Sequence, residues 1–253
     1  MNKAIPHMAK KSLPSTDFAR FAALPRGEIR DNAIRKFVMG GGIWSYDPAR
    51  SHLGEILREQ PRFNFFVPDA PWSVLEERIG SKCKKSQIER EQNCLKAKGL
   101  FDYWRDNAWS SIRYDDMPAG MMNPSHGYTR FWDNRFCVID ETRTFVPFFD
   151  FSGPDTRLSA DARDVVFSVQ DWLIRQSIPE LEDLDLAVIR FDGTKETGFS
   201  VAPHFHSGPV RWAPTELTEL MFEVYADWVR VAQQFERAPR RTGTDDNGCF
   251  DFG

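Results

Sequence analysis

Residues 185–206, DLAVIRFDGTKETGFSVAPHFH, contain two apolar stretches separated by a short polar segment. Residues 185–191 show enough alternation between apolar and polar side chains to predict a strand. Residues 198–205 form a second stretch of the same kind, and Gly193 and Gly198 flank the polar segment between them. The stretch therefore predicts two neighbouring strands that pair with each other.

The segments before and after this strand pair predict a β-hairpin and two helices. Residues 135–139 and 144–151 flank the short segment 140–143, which predicts a β-hairpin. Ser159 is suited to cap a helix that follows the hairpin, with Asp161 in its first turn. A final helix is predicted from about Pro214 to a point before Pro239, because its apolar residues recur every three or four positions. The C-terminal half thus reads as hairpin, helix and strands, closed by a long amphipathic helix.

The N-terminal half is predicted to be mostly helical. A helical apolar stripe spans residues 27–39, and Gly40–Gly42 follow it. Ser73 with Glu76, and Ser86 with Glu89, have the spacing of capping boxes that open two further helices. Together the two halves indicate the α+β class.

Composition suggests boundaries along the chain. We expect a flexible tail at 1–16, a helical region at 17–114, a loop or linker at 115–127, an α+β region at 128–238 and a polar tail at 239–253. Residues 17–238 could equally form a single domain.

The charge is unevenly distributed although the formal net charge is only −4. Residues 1–126 carry 20 basic and 15 acidic side chains, whereas residues 127–253 carry 13 and 22. No apolar run approaches the roughly 20 residues of a membrane helix, and no signal peptide is visible, so no membrane partner is expected. The four cysteines lack zinc-binding spacing. These features predict a cytoplasmic protein with reduced thiols.

The motif His204-Phe205-His206 is the sharpest chemical signal in the sequence. Residues i and i+2 of a strand point to the same face, so both imidazoles could bind one divalent metal ion. Asp192, at the end of the preceding predicted strand, could supply a carboxylate ligand. The alternative is a pair of solvent-facing or hydrogen-bonded histidines beside a turn.

Two families share part of this motif. Gly198, five residues and then His204-x-His206 resemble the first half of a cupin metal motif, although the glutamate expected next is absent. The pair followed by Tyr225 is similar to HUH endonucleases, which implies a metal held by the histidines and a tyrosine that attacks a DNA phosphate. The lysine usual three residues after that tyrosine is replaced by Trp228. Tyr225 also borders the apolar stripe of the last helix, which favours a core position.

The order of elements across residues 135–191 is similar to the core of restriction-type nucleases. That resemblance implies Mg²⁺ held by acidic side chains at strand ends, where Asp140, Glu141 and Asp150 lie. The lysine that polarises water in such nucleases has no counterpart, because Lys195 is the only lysine in this half and no E-x-K or D-x-K occurs.

A basic segment lies between residues 78 and 98. It contains the following candidate contacts for a nucleic acid or another partner: Lys82, Lys84, Lys85, Arg90, Lys96 and Lys98. Nearby glutamates dilute this charge, so a solvated helix face is the alternative.

Two functions follow from these observations. The first is an intracellular binding or accessory protein without catalytic activity, whose partner is a protein or a nucleic acid. The second is a metal-dependent phosphodiesterase or nuclease centred on His204, His206 and Asp192, with Tyr225 as a further catalytic candidate.

Overall fold

A six-stranded mixed sheet forms the centre of the fold. The computed structural model describes residues 13–39, 45–60, 68–114, 117, 121–122, 129–130 and 136–236. The strands of the main sheet, in spatial order, are β1 (Glu59–Gln60), β2 (Ser110–Arg113), β5 (Phe136–Ile139), β6 (Thr144–Asp150), β7 (Asp185–Thr194) and β8 (Gly198–His206). Two further short strands, β3 (Met121–Met122) and β4 (Thr129–Arg130), pair with each other.

Eight α-helices surround this sheet within the described residues. They are α1 (Ser15–Ala22), α2 (Glu28–Met39), α3 (Asp47–Arg50), α4 (Leu53–Ile56), α5 (Trp72–Lys82), α6 (Gln87–Asp106), α7 (Ala160–Gln170) and α8 (Pro214–Glu236). A π-helical turn, Asp171–Arg175, extends α7, and short 3-10 turns occupy Pro154–Thr156 and Pro179–Leu181. No described helix is both long enough and apolar enough to cross a membrane.

The strands β7 and β8 form the antiparallel pair predicted from residues 185–206. Their register runs without interruption from Leu186 opposite His206 to Thr194 opposite Gly198. Gly193 has a φ of +118°, and a Cβ there would lie 2.1 Å from the carbonyl oxygen of Gly198, so only glycine fits this position.

The predicted hairpin and the helix after it are also confirmed. Strands β5 and β6 are antiparallel, and one carboxylate oxygen of Asp140 accepts the backbone N–H groups of Thr142 and Arg143 in the turn between them. The Ser159 hydroxyl accepts the N–H of Ala162 at the start of α7. Helix α7 then connects β6 to β7, which are parallel neighbours.

Helices cover both faces of the sheet and create two hydrophobic cores. On the first, which we call the α8 face, Val146, Phe148, Leu186 and Val188 pack with residues of α1, α2, α7 and α8. On the second, the α6 face, the alternate strand residues pack with α3, α4, α5 and α6; they include Phe145, Phe149, Ala187, Ile189 and Phe191. The fold is therefore α+β, with alternate residues of one sheet serving two helical layers.

The N-terminal half is mostly helical, as predicted, and it contributes the short strands β1 and β2 to the main sheet. It also begins earlier than expected, because Leu13 is fully buried and α1 starts at Ser15, inside the predicted tail. Burial of Leu13 and Phe18 against the α8 face removes apolar surface from water, which explains why residues 13–16 are folded.

Of the two predicted capping boxes, one forms a cap. The Ser86 hydroxyl accepts the N–H of Glu89, and the Glu89 carboxylate reaches back to the N–H of Lys85. The Ser73 cap was wrong, because α5 begins one residue earlier, at Trp72 after Pro71, and no side chain caps it. Residues 1–12, the glycines 40–42, most of segment 115–127 and residues 237–253 lie outside the described residues. The same holds for residues 63–67, whose sequence predicts a buried strand.

Candidate functional site

The two histidines of the H-x-H motif lie on the α8 face of β8, as their spacing predicts. His206 donates a hydrogen bond from Nε2 to the carbonyl oxygen of Pro209 at 3.1 Å, and its ring stacks on Phe167 with 5.1 Å between centroids. His204 is half-buried, and its Nε2 has no hydrogen-bond partner among the described residues. Burial lowers the pKa of His204, and the nearby cations Arg163 and Arg190 lower it further.

Asp192 does not join the histidines as a third ligand. It lies on the same face, but His204 is opposite Val188, four residues from Asp192 along β7, which is about 13 Å. One Asp192 carboxylate oxygen instead contacts Arg157 at 2.8 Å and Arg190 at 3.3 Å. Throughout the described part of the chain, no three His, Cys, Asp or Glu side chains are grouped so that they could hold a metal ion. The structure thus does not assemble the predicted metal centre.

Tyr225 lies on α8 within the core of the α8 face and is 3% exposed. A side chain enclosed by this core cannot approach a DNA phosphate. The geometry agrees with the core position that the apolar stripe favours, and it leaves the HUH-like reaction without its nucleophile.

Two of the three acidic residues of the nuclease-like segment, Asp140 and Asp150, have structural partners, whereas Glu141 is exposed. Asp140 caps the hairpin turn. Asp150 is buried, and its two carboxylate oxygens accept the N–H groups of Ser152 at 3.0 Å and Leu158 at 2.9 Å. These contacts hold the loop between β6 and α7 in place.

The predicted basic segment divides into an exposed part and a buried part. Lys82, Lys84, Lys85 and Arg90 are exposed around the end of α5 and the start of α6. Lys82 donates to the Ser51 hydroxyl at 3.0 Å. These four side chains are accessible to a partner.

Lys96 and Lys98 are less accessible to a partner, because both side chains have contacts within the protein. Lys98 contacts both carboxylate oxygens of Asp102 at 2.5 Å, one helical turn further along α6. Lys96 is 1% exposed, and its ammonium donates to the carbonyl oxygens of Phe151 at 2.5 Å and Ser152 at 3.1 Å. The assignment of Lys96 as a surface contact is therefore wrong, because the side chain faces the sheet.

The helical periodicity of α6 indicates that Lys96 lies on the buried face of this helix. The side chains of its buried face recur at three- and four-residue intervals and are Asn93, Lys96, Ala97, Leu100, Phe101 and Trp104. A charged residue on that stripe indicates a buried cation with a specific environment. Lys96 has such an environment, because its ammonium lies 4.2 Å from the ring centroid of Tyr46 and 5.2 Å from that of Phe199.

Four large apolar side chains remain exposed on the described surface, and sequence reasoning had not singled them out. They are Ile29, Met39, Ile88 and Phe222. Ile88 lies in the first turn of α6, next to the exposed basic residues. We call the exposed residues Lys84, Lys85 and Ile88, which lie between the end of α5 and the first turn of α6, the α5–α6 corner. It combines an apolar side chain with a basic rim, which is a common composition of protein interfaces.

Comparison with known proteins gives a consistent result over nearly the whole chain. Residues 16–238 match the family described as the sliding clamp-binding bacterial toxin SocB. The DNA replication inhibitor toxin SocB of Caulobacter vibrioides (strain NA1000 / CB15N) is 28% identical over 242 residues, which cover 94% of this chain and 97% of that protein. No solved structure matches the chain. Because the family match includes every helix from α2 to α8 and nearly all of α1, the chain belongs to the SocB family.

Proposed function

We propose that this protein binds a bacterial sliding clamp and thereby inhibits DNA replication. The observation that carries the proposal is the family match across residues 16–238, which covers almost all of the described fold. The SocB relative, whose name describes an inhibitor of DNA replication, aligns over 97% of its own length. Such a protein acts by occupying a surface of the clamp, and it needs no catalytic group of its own. This function places the protein in the cytoplasm, where bacterial replication takes place.

We propose the α5–α6 corner as part of the contact surface. Ile88 is 60% exposed at the start of α6, and burial of such a side chain in an interface contributes roughly 1.5–3 kcal/mol. Lys84 and Lys85 make no ion pair within the described residues, so their charges are available to acidic groups of a partner. The Ser86 cap and the Glu89 contact to the Lys85 N–H hold the corner in a fixed conformation, which lowers the entropic cost of binding.

The first experiment measures binding to the clamp and the inhibition of clamp-dependent DNA synthesis. Purified protein is titrated against a purified bacterial sliding clamp by calorimetry, and primer extension is followed with and without the clamp. We expect saturable binding and loss of the long products that require the clamp, with the short products of clamp-free synthesis unchanged. Absence of binding, or equal inhibition without the clamp, would overturn the proposed function.

A pair of variants tests the contact surface separately. Ile88→Ala combined with Lys84→Glu and Lys85→Glu should weaken clamp binding at least tenfold, because it removes both the apolar contact and the basic rim. Phe222→Ala is the matched control, since Phe222 is an exposed apolar residue on α8. If the control weakens binding and the corner variant does not, the clamp uses α8 instead, and the surface assignment fails while the function stands.

A further inference from the structure

Three arginines and His204 converge beside the first turn of α7. Arg190 lies on β7 and His204 on β8, on the face of the sheet that α7 covers. Arg157 follows the 3-10 turn Pro154–Thr156, and Arg163 lies one turn into α7. Because β6 and β7 are parallel and α7 connects them, this place is the carboxyl end of a parallel strand pair, where α/β sheets commonly bind ligands. We call these four residues the arginine cluster.

The guanidinium groups of the arginine cluster have few carboxylates in direct contact within the described structure. Asp192 contacts Arg157 and Arg190 and is the only carboxylate within ion-pair distance of these arginines among the described residues. Asp150 is opposite Arg190 in the sheet register, but its oxygens accept two backbone N–H groups.

Two further features affect the charge at the arginine cluster. The nearby Asp164 carboxylate contacts Arg211 at 3.6 Å and forms no ion pair with the cluster, again within the described part of the chain. The amino-terminal end of α7 adds a partial positive charge. One carboxylate, that of Asp192, thus contacts the guanidinium groups directly, while Asp150 and Asp164 act on Arg163 from beyond ion-pair distance.

Several donor and acceptor atoms of the cluster lack partners. The Nε atoms of Arg157 and Arg190 and the Nε2 atom of His204 are buried without a hydrogen bond to any described residue. Arg163 donates from Nη1 to the carbonyl oxygen of Leu158 at 3.1 Å. A buried polar nitrogen without a partner costs about 1–3 kcal/mol, so a ligand that supplies oxygen acceptors here would remove a penalty.

The titration behaviour of the cluster supports this description. Burial lowers the pKa of Arg163, and the charge of Arg190 lowers it further. The pKa of His204 is lowered by burial and then by Arg163 and Arg190. Burial is the larger cause of both shifts and the neighbouring arginines add to it, whereas the carboxylates of Asp150 and Asp164 raise the pKa of Arg163 and that of Asp192 raises the pKa of His204.

We propose that the arginine cluster binds a small anion that carries a phosphate group. Guanidinium groups match phosphate oxygens in geometry and remain charged at every physiological pH. The four side chains are half-buried between a loop, a helix and two strands, so they suit a compact anion that enters between these elements. The binding is independent of the proposed clamp contact, because the α5–α6 corner lies on other elements.

Calorimetry and thermal unfolding of the full chain test the proposal. Pyrophosphate, orthophosphate and ATP are compared with sodium chloride at equal ionic strength. We expect pyrophosphate to bind saturably and to raise the Tm, and Arg163→Gln and Arg190→Gln each to weaken binding at least tenfold. Arg211→Gln, which alters an exposed arginine near the same helix turn, should bind as the parent protein does.

The comparison of probes identifies the source of the phosphate. Tighter binding of ATP than of pyrophosphate indicates a nucleotide, whereas equal binding indicates a free phosphate anion, and both support the proposal. Three results would overturn it: no binding beyond chloride, equal loss in Arg211→Gln, or binding of duplex DNA while none of the small anions binds. Circular dichroism confirms that each variant is folded, so a loss of binding reports on the cluster.

Discussion

The two faces of the sheet each bury one cation, but they stabilise it in different ways. On the α8 face, Arg30 is 3% exposed and contacts the equally buried Asp227 at 3.3 Å, while its Nε and Nη2 donate to the carbonyl oxygen of Leu24. On the α6 face, no carboxylate lies within ion-pair distance of Lys96 in the described structure. Lys96 is held by two carbonyl oxygens and by aromatic rings.

The difference follows from the acid–base chemistry of the two side chains. Arginine keeps its charge in proteins and therefore needs a counter-charge when it is buried. Lysine can release its proton, and burial lowers the pKa of Lys96 to about 8. The α8 face is thus joined by a buried ion pair. The α6 face instead contains a lysine whose pKa of about 8 lies just above neutrality.

Asp227→Ala should have the largest effect, because it leaves the Arg30 charge buried beside only the half-exposed Glu223. We expect a loss of about 3–5 kcal/mol in the free energy of unfolding, measured by urea denaturation. Asp31→Asn is the matched control, since Asp31 pairs with the exposed Arg230 and such a pair contributes about 0.5 kcal/mol. If both substitutions cost the same, the buried pair has no special role in joining α2 to α8.

Gly99→Ala should have the next largest effect, and it acts on the α6 face. A Cβ at Gly99 would lie 2.2 Å from the backbone carbonyl oxygen of Phe199, so α6 and β8 must move apart. We expect a loss of about 2–3 kcal/mol by the same measurement. Gly208→Ala is the control, because a Cβ there meets no atom within 4 Å. Equal stability of the two variants would show that α6 does not need its close approach to β8.

Lys96→Met should have the smallest effect on the free energy of unfolding, and this effect should depend on pH. The folded pKa of about 8 lies below the ordinary 10.5, so between these values the unfolded chain binds more protons. The contribution of Lys96 to stability therefore rises with pH across this window and is lost as pH falls through 8.

The measurement is the free energy of unfolding of the parent protein minus that of Lys96→Met, at pH 7, 8, 9 and 10. We expect this difference to shift in favour of the parent protein by about 2 kcal/mol between pH 8 and pH 10. The thiols and Tyr46 titrate in both proteins, so their effects largely cancel in the difference. A difference that stays constant with pH would show that Lys96 remains charged in the folded state.

The sequence predicted local structure where a periodic apolar pattern coincided with a cap or a turn. The β7–β8 pair, the Asp140 turn, the Ser159 cap and the long α8 helix all follow from contacts between residues that are close in the chain. Strands β1 and β2 were missed because they are short and are defined by pairing with distant segments, such as Glu59 with Ser111. Helix α1 was missed because it has only eight residues, and a helix this short depends on burial against α7 and α8.

At the candidate site, too, the sequence did not predict contacts between residues that are distant in the chain. The spacing of His204 and His206 correctly placed both on one face, but it could not reveal that Asp192 lies four positions further along the sheet, beside two arginines. Composition indicated a basic segment, yet only the periodicity of α6 separates the inward Lys96 from the outward Arg90. The partner of such a surface depends on its complementarity with another molecule, which the sequence pattern does not describe. The proposed partner therefore rests on the relationship to the SocB family.

The contact between Arg30 and Asp227 joins residues 197 positions apart, and it sets the order of events during protein synthesis. At about 5–20 residues per second, a ribosome needs roughly 10–40 s to reach Asp227 after it has added Arg30. Throughout that interval α2 has no α8 to pack against, and the guanidinium of Arg30 remains in water. The α8 face therefore closes only after α8 has been synthesised, so a chain released before that point lacks the last layer of the fold.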